Sequence, residues 1–387
     1  MSLSAVMAGL VAVVVSYSGP LLVVLQSAKN AGLSTGQTTS WVWAISIASG
    51  VVCSVLSLVT RQPVMVAWSV PGAALLLTAL GNYSYSDAIG AYLVAGVLAT
   101  VLGVTGLFGR LLAVVPGPIL AGVLAGVLLP FVLSAAGAVV SSPLVAGGLV
   151  VAYFVGRRFV PRYAVIVALF AGVLLAILTG GISTPQLSLA LAGPLWTTPT
   201  FSVSAVMGIA VPLLIVTTAG QNGPGLAMMT SSGYVPNDRL LLGGAGVASV
   251  VFAPFGSHAI NLAAITAGIC SGPEAHEDSR RRYVAGIACG VFYLVFGTFS
   301  TAVVALFAVI PAPMLTALAG VALLGAFQGA VRDMVLDSGG RPAELEAALV
   351  TLAVTASGVA PWGVVSPFWG CLAGVGVYML ARRRRTA

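Results

Sequence analysis

The sequence predicts an all-α polytopic membrane protein with about 14 transmembrane segments. They form two inverted seven-segment repeats, with segments 3 and 10 broken by short extended stretches. Three observations carry this expectation. The 387-residue chain is 59% hydrophobic and only 6% charged, and its apolar runs recur from end to end. Most of these runs approach the roughly 20 residues that a helix needs to cross a bilayer. The basic residues segregate between loops, and the two halves of the chain resemble each other.

The apolar segments lie near 4–24, 39–60, 64–80, 88–108, 113–136, 144–156 and 163–180, then near 202–221, 239–255, 258–270, 283–309, 313–331, 343–359 and 362–381. The opening MSLSAVMAGLVAVVV lacks a basic n-region, so the first run reads as a retained span rather than a cleaved signal peptide. The Pro- and Gly-containing stretch GGISTPQLSLALAGPLWTTPT divides the sets, giving a first repeat at 1–180, a linker at 181–201 and a second repeat at 202–387.

With the N-terminus inside and every segment crossing, Arg61, Arg110, Arg157, Arg158, Arg162, Arg239, Arg280 to Arg282, Arg332, Arg341 and Arg382 to Arg385 all fall on the cytoplasmic side. Only Lys29 falls outside. That segregation follows the positive-inside rule and places both termini in the cytoplasm. The net charge of +7 is therefore a topology signal rather than a nucleic-acid footprint. Cys53, Cys270, Cys289 and Cys371 show no CxxC spacing and read as small packing residues, not as a disulfide or metal framework.

The internal similarity rests on three matches in the same order. PGPILAGVLAGVLL from Pro116 matches PAPMLTALAGVALL from Pro311, and Gly19-Pro20 is echoed by Gly223-Pro224. SVPGAALLLTAL from Ser69 can be laid on AINLAAITAGIC from Ala259. An odd number of spans per half makes the repeats inverted, as in many secondary transporters.

Segment 3, QPVMVAWSVPGAALLLTAL, opens with a β-branched run and then breaks. Pro71 suits a first helical turn and Ser69 can cap it, so 64–68 is expected extended and 71–80 a half-helix. In segment 10 Pro254 and Gly256 break the chain, Ser257 can cap, and a half-helix is expected from about Ala259. Extended backbone at membrane depth survives only where it is buried in protein or lines a cavity. Two half-helix N-termini meeting near the midplane favour an anion, and no Asp or Glu falls within a predicted span to oppose this.

The candidate substrate residues follow from these breaks: Tyr17 and Gly19 at the first segment, then Trp68, Ser69 and Val70, then Gln221 and Asn222, then His258, Ala259 and Asn261. His258 is an intramembrane ionisable group, read either as a proton carrier or as a structural ring bonded to a neighbouring helix. Asn261 can orient that ring, bind ligand or satisfy broken backbone, and Trp68 offers a flat apolar face or plain packing. Gln221 and Asn222 face protein, water or substrate if buried, and are loop residues if the eighth span ends before them. Glu274, His276, Glu277 and Asp278 are too crowded for metal-ligand spacing on one helix face and read as a charged connecting turn. Asp333, Asp337, Glu344 and Glu346 read as a solvated loop. Neither a metal nor a cofactor is expected.

APFGSHAINLAAITAGICSGPEAHEDSRRRYVAG at 253–286 resembles the signature region of the benzoate–proton symporter (BenE) family, and AWSVPGAALL at 67–76 and GQNGPGLAMM at 220–229 resemble two further motifs. The resemblance covers essentially the whole chain. It implies a bacterial inner-membrane carrier that imports benzoate or a similar aromatic carboxylate with a proton. It also implies kinship with nucleobase and sulfate-type carriers, in which segments 1–4 and 8–11 form a core and segments 5–7 and 12–14 a gate that often dimerises. By that analogy His258 stands where the nucleobase carriers hold a substrate-binding glutamate. Val70 replaces a frequent Thr of the family and Glu277 a frequent Pro. The alternatives are a nucleobase or inorganic anion carrier on the same scaffold, a passive channel, and an intramembrane enzyme. The last lacks a nucleophile or carboxylate paired with His258.

Overall fold

The computed structural model describes residues 3–18, 20–108, 116–180, 190–263, 265–272, 275–359, 361 and 366–383. The chain is mostly helical. It opens with α1 (Leu3–Ser18) and α2 (Pro20–Asn30), which flank Gly19, a residue outside the described set. The first half continues with α3 (Thr35–Thr60), β1 (Val66–Trp68), α4 (Val70–Ala79), α5 (Tyr85–Thr105), α6 (Gly117–Ser141), α7 (Gly148–Phe159) and α8 (Ala164–Leu178). The second half holds α9 (Val203–Thr230), α10 (Asp238–Phe252), β2 (Ile260–Leu262), α11 (Ile265–Ser271), α12 (Tyr283–Thr298), α13 (Ser300–Ala308), α14 (Ala312–Asp337), α15 (Pro342–Ala356) and α16 (Ser366–Arg383). Among the described residues seven helices are long and apolar enough to cross a membrane, or eight if α12 and the bent α13 count as one.

The two halves pack by exchange. Helix α3 lies along α12, and its counterpart α10 lies along α5, the counterpart of α12. Helices α6 and α14 pack on each other, and the pairs α7–α8 and α15–α16 repeat the same hairpin-like contact. Both α6 and α14 start from a proline N-cap in the same extended conformation, Pro116 at φ −54°, ψ 136° and Pro311 at φ −57°, ψ 140°. At the centre β1 and β2 pair antiparallel, with Ala67 opposite Asn261.

Each strand is held by a short side chain on the helix beside it. The Cys53 thiol of α3 meets both the N–H (3.0 Å) and the C=O (3.1 Å) of Val66. The Ser249 hydroxyl of α10 accepts from the Ile260 N–H at 2.8 Å and donates to the Ile260 carbonyl at 3.2 Å. A strand residue with no further sheet neighbour would otherwise bury two unpaired backbone groups. Cys53 therefore does more than fill space.

Several expectations need correction. The second half-helix begins at Ile265, not Ala259, and Ser257 does not cap it: the Ser257 hydroxyl is buried without a partner. Residues 260–262 stay extended because Ser249 and Asn222, whose Oδ1 accepts from the Leu262 N–H at 3.0 Å, claim the backbone groups that a helix would use. Segment 11 is not one straight run, since α12 and α13 meet at 72°. Asp333 and Asp337 sit in the last turns of α14 and Glu344 in the first turn of α15, so they are helical residues and do not form a loop.

The linker residues 190–202 lie as an extended strap over the helix ends. Ala192 N–H bonds the Thr298 carbonyl, Thr197 N–H the Pro254 carbonyl and Thr200 N–H the Ser86 carbonyl. Gly90 permits this course, because a Cβ there would stand 1.9 Å from the Thr200 carbonyl oxygen. Thr200 and Ser84 also donate their hydroxyls to the Asp87 carboxylate. On the other loop side, the Arg282 guanidinium donates to the carbonyls of Ser271, His276 and Glu277 and so organises the charged turn after α11. Glu274 lies outside the described residues.

Buried apolar side chains of α1–α5, β1, β2 and α9–α12 form one large cluster, joined by Val123, Val127 and Leu128 of α6, Val304 of α13 and Ala319 and Leu323 of α14. A second is built by α6, α7, α8 and α14, with Leu22 of α2 inserted into it. Exposed Leu58, Val101, Phe170 and Leu174 form part of an apolar outer surface suited to lipid.

Candidate substrate site

The two broken segments create cavities on either side of the β1–β2 pair. One holds about 390 Å³ of empty space and is lined by Val15, Ser16, Pro20, Ala67, Trp68, Val70, Gln221, Ala263 and Thr266. The other holds about 470 Å³ and lies among α5, α9, α10 and the start of β2. In this second cavity three of the polar side chains are committed: Thr217 Oγ1 to Ser69 Oγ at 2.7 Å, Asn222 to Leu262, and Ser249 to Ile260. In the first cavity Ser16 is bonded to the Ala12 carbonyl and the Tyr293 hydroxyl, but two lining donors, on Trp68 and Thr266, are open. The Trp68 Nε1, the Thr266 hydroxyl and both polar atoms of the Asn261 amide are buried with no partner. Buried donors left without a partner are costly, so a ligand that accepts from them gains strongly there. We therefore take the first cavity as the candidate site.

Each wall has a local origin. Ser69 is the N-cap of α4: its hydroxyl accepts from Gly72 N–H at 3.0 Å and its carbonyl from Ala73 N–H at 2.8 Å. Pro71 in the first turn needs no hydrogen bond. The positive end of α4 therefore opens beside Val70 and Trp68. Trp68 is clamped by aromatic edges, Tyr17 at 5.7 Å and Tyr293 at 5.7 Å between ring centroids. Gln221 sits in a π-helical turn, Thr218–Asn222, inside the continuous helix α9. Gln221 and Asn222 are buried span residues and not loop residues.

The sequence candidates thus divide into groups. Trp68, Val70 and Gln221 line the site directly. Tyr17 backs Trp68 and bonds the Ser46 hydroxyl. Ser69 caps the half-helix, and Asn261 lies opposite Ala67 in the sheet. Asn222 and Ala259 line the other cavity, where the Ala259 carbonyl accepts from Ser69 N–H at 3.0 Å. Gly19 lies outside the described residues.

His258 lines neither cavity. Its Nδ1 accepts from Trp41 Nε1 at 3.1 Å and its Nε2 faces the Ser69 carbonyl at 2.8 Å, with the ring 1% exposed. It stands behind the sheet and ties α3 to the break in segment 3.

Ser16 and Thr266 line the site but escape the sequence reading. Thr266 is a lone hydroxyl in an apolar run, and its meaning depends on the helix starting at Ile265. Trp41 is 217 positions from His258 and gives no local signal.

The family profile described as BenE, benzoate membrane transport protein, matches residues 1–380. The benzoate membrane transport protein of Acinetobacter baylyi is 39% identical over 98% of this chain and 95% of its own length. The inner membrane protein YdcO of Escherichia coli K12 is 37% identical over 97% and 95%. Among solved structures, the transmembrane domain of the cyanobacterial bicarbonate transporter BicA superposes with TM-score 0.65 at 15% identity, covering 97% of this chain and 99% of that one. SLC26A9 gives a TM-score of 0.62 at 13% identity, covering 97% of this chain and 64% of that one. These two similarities establish a shared fold. With a match along nearly its whole length, the chain belongs to the BenE family of benzoate membrane transport proteins.

Proposed function

We propose that the protein imports benzoate or a similar aromatic carboxylate together with a proton, by alternating access, across a bacterial inner membrane. The observation that carries this reading is the cavity at the broken segments. It offers the Trp68 indole for a ring, unpartnered donors at Trp68 and Thr266 for a carboxylate, and the positive end of α4 beside them. No charged side chain lines it, so the site suits an anion with an apolar body. The Acinetobacter baylyi relative and the family description support the substrate class.

The proposed architecture has 14 segments in two inverted repeats, 1–180 and 202–387, joined by the linker 181–201, with both termini cytoplasmic. Segments 1–4 and 8–11 form the core that carries the site. Segments 5–7 and 12–14 form the gate, and two copies pair through it. The separate apolar cluster of α6, α7, α8 and α14 supports the division.

A proton makes inward movement of a carboxylate electroneutral and removes a penalty of roughly 2.3 kcal/mol per 100 mV. His258 is the proposed carrier. The arrangement described above is its unprotonated state, and proton uptake belongs to another step of the cycle.

Purified protein in liposomes, with the interior made alkaline, should accumulate labelled benzoate above the external concentration and lose that accumulation when a protonophore is added. Uptake of uracil, sulfate or bicarbonate without benzoate would reject the substrate. Equilibration without accumulation would indicate a channel.

A further inference from the structure

We infer that Trp41 is a positioning residue that holds His258 in its neutral Nε2–H form, so that His258 can take a proton only when the Trp41 contact is released. The inference rests on the proposed role of His258 as proton carrier and adds the residue that controls it.

The chemistry of the two contacts fixes the tautomer. An indole N–H can only donate, so His258 Nδ1 must present a lone pair to Trp41 Nε1 at 3.1 Å. A backbone carbonyl can only accept, so Nε2 must carry the hydrogen that points at the Ser69 oxygen, 2.8 Å away. A second proton on Nδ1 would face the Trp41 N–H donor to donor. The bond from Trp41 therefore stabilises the neutral ring against the cation.

Among the described residues the groups that face the ring supply no charge to offset this. Trp41 from α3 stands edge-on at 5.6 Å and Tyr92 from α5 at 6.4 Å between ring centroids. The Tyr85 hydroxyl, at the start of α5, approaches the adjacent Gly256, and the Ser69 carbonyl closes the remaining side. The only titratable groups among these are the two tyrosines, whose hydroxyls have no partner.

The same geometry links the proton to the substrate site. Ser69 accepts from His258 through its carbonyl while its hydroxyl caps α4 and meets Thr217 of α9. Protonation strengthens the Nε2–H donor and ejects the indole, so the change acts on the cap of the half-helix that opens onto the cavity. Reciprocal coupling between proton and anion then needs no direct contact between His258 and the ligand.

The chain has two histidines, which makes the test direct. Nitrogen-15 histidine spectra of the full-length protein in lipid nanodiscs are recorded across about pH 5.5 to 8, with His276 assigned by His276→Gln. The wild-type His258 signal should show the neutral Nε2–H tautomer at neutral pH. Trp41→Phe, which keeps an aromatic ring and removes the donor, should raise the His258 titration midpoint by about one pH unit. Trp41→Gln, which retains an N–H, should return it toward the wild-type value. The pH profile of benzoate uptake by Trp41→Phe should move alkaline by the same amount. An Nδ1–H tautomer or a charged ring in the wild type at neutral pH overturns the inference. So does a folded Trp41→Phe protein whose midpoint is unchanged. The spectra need no substrate, so failed benzoate uptake counts against the proposed function, and an unmoved midpoint counts against Trp41.

Discussion

At the scale of single residues, the site is defined by what its polar atoms lack. Ser69 and Asn222 look like ligand-binding residues in the sequence, yet each is occupied in holding backbone. Thr266 is the reverse case, an inconspicuous residue with a free buried hydroxyl at the cavity wall. A hydrogen bond to a charged group contributes about 1.5–3 kcal/mol. Thr266→Val, which keeps the shape and removes the donor, should therefore weaken benzoate binding by roughly 10- to 100-fold without lowering thermal stability. Isothermal titration or scintillation proximity binding on purified protein checks this. Unchanged affinity would remove Thr266 from the site. The residue types around the break were legible from Gly, Pro and amide punctuation, whereas their division into backbone holders and free donors was not, because it depends on partners 11 to 190 positions away.

At the scale of elements, the two short strands determine where everything else sits. Neither has the length to form alone, and each has a single partner strand and is clamped by side chains of neighbouring helices, Cys53 on β1 and Ser249 and Asn222 on β2. Removing the Ser249 hydroxyl leaves the Ile260 N–H unpaired at membrane depth, a loss of about 1–3 kcal/mol. Ser249→Ala should lower the melting temperature measured in detergent by several degrees. Cys53→Ser, which preserves a group able to bond both atoms of Val66, should be tolerated far better than Cys53→Ala. Equal melting temperatures for Cys53→Ser and Cys53→Ala would show that the thiol only packs. The sequence located the first break within one or two residues because Ser69-Val70-Pro71 is a local helix-start signal. It misplaced the second by about six residues. There the decisive hydrogen bonds come from α9 and α10, and an apolar run such as AINLAAITAGIC does not record them.

At the scale of the whole molecule, the half-helices differ in their outer contacts. Helices α2 and α4 pack against α14 and α6, whereas α11 packs on α1 and α9 with no comparable contact to α6 or α14. In the proposed topology this closes the periplasmic side of the site and leaves the cytoplasmic side less covered. Single cysteines in a background lacking the four native ones test the topology. A cysteine at position 29 should react with a membrane-impermeant maleimide in intact cells, and cysteines at 158 and 280 should react only after permeabilisation. Labelling of 158 and 280 from opposite sides would refute the inverted repeat.

What the sequence determined by itself is everything that depends on composition and local pattern. Low charge and recurrent apolar runs define a membrane protein, proline and glycine mark the broken segments, and the matched PGP and PAP stretches mark the two halves. These signals are local because solvation of a helix by lipid and the start of a helix at a proline are local events. The tertiary structure decided which cavity is polar in an unsatisfied sense, where the second half-helix begins, and that His258 faces Trp41 and the Ser69 carbonyl instead of the site. Those outcomes turn on buried hydrogen bonds between residues far apart in the chain. In a low-dielectric interior such bonds outweigh local helical preference, since a backbone group without a partner has no water to turn to.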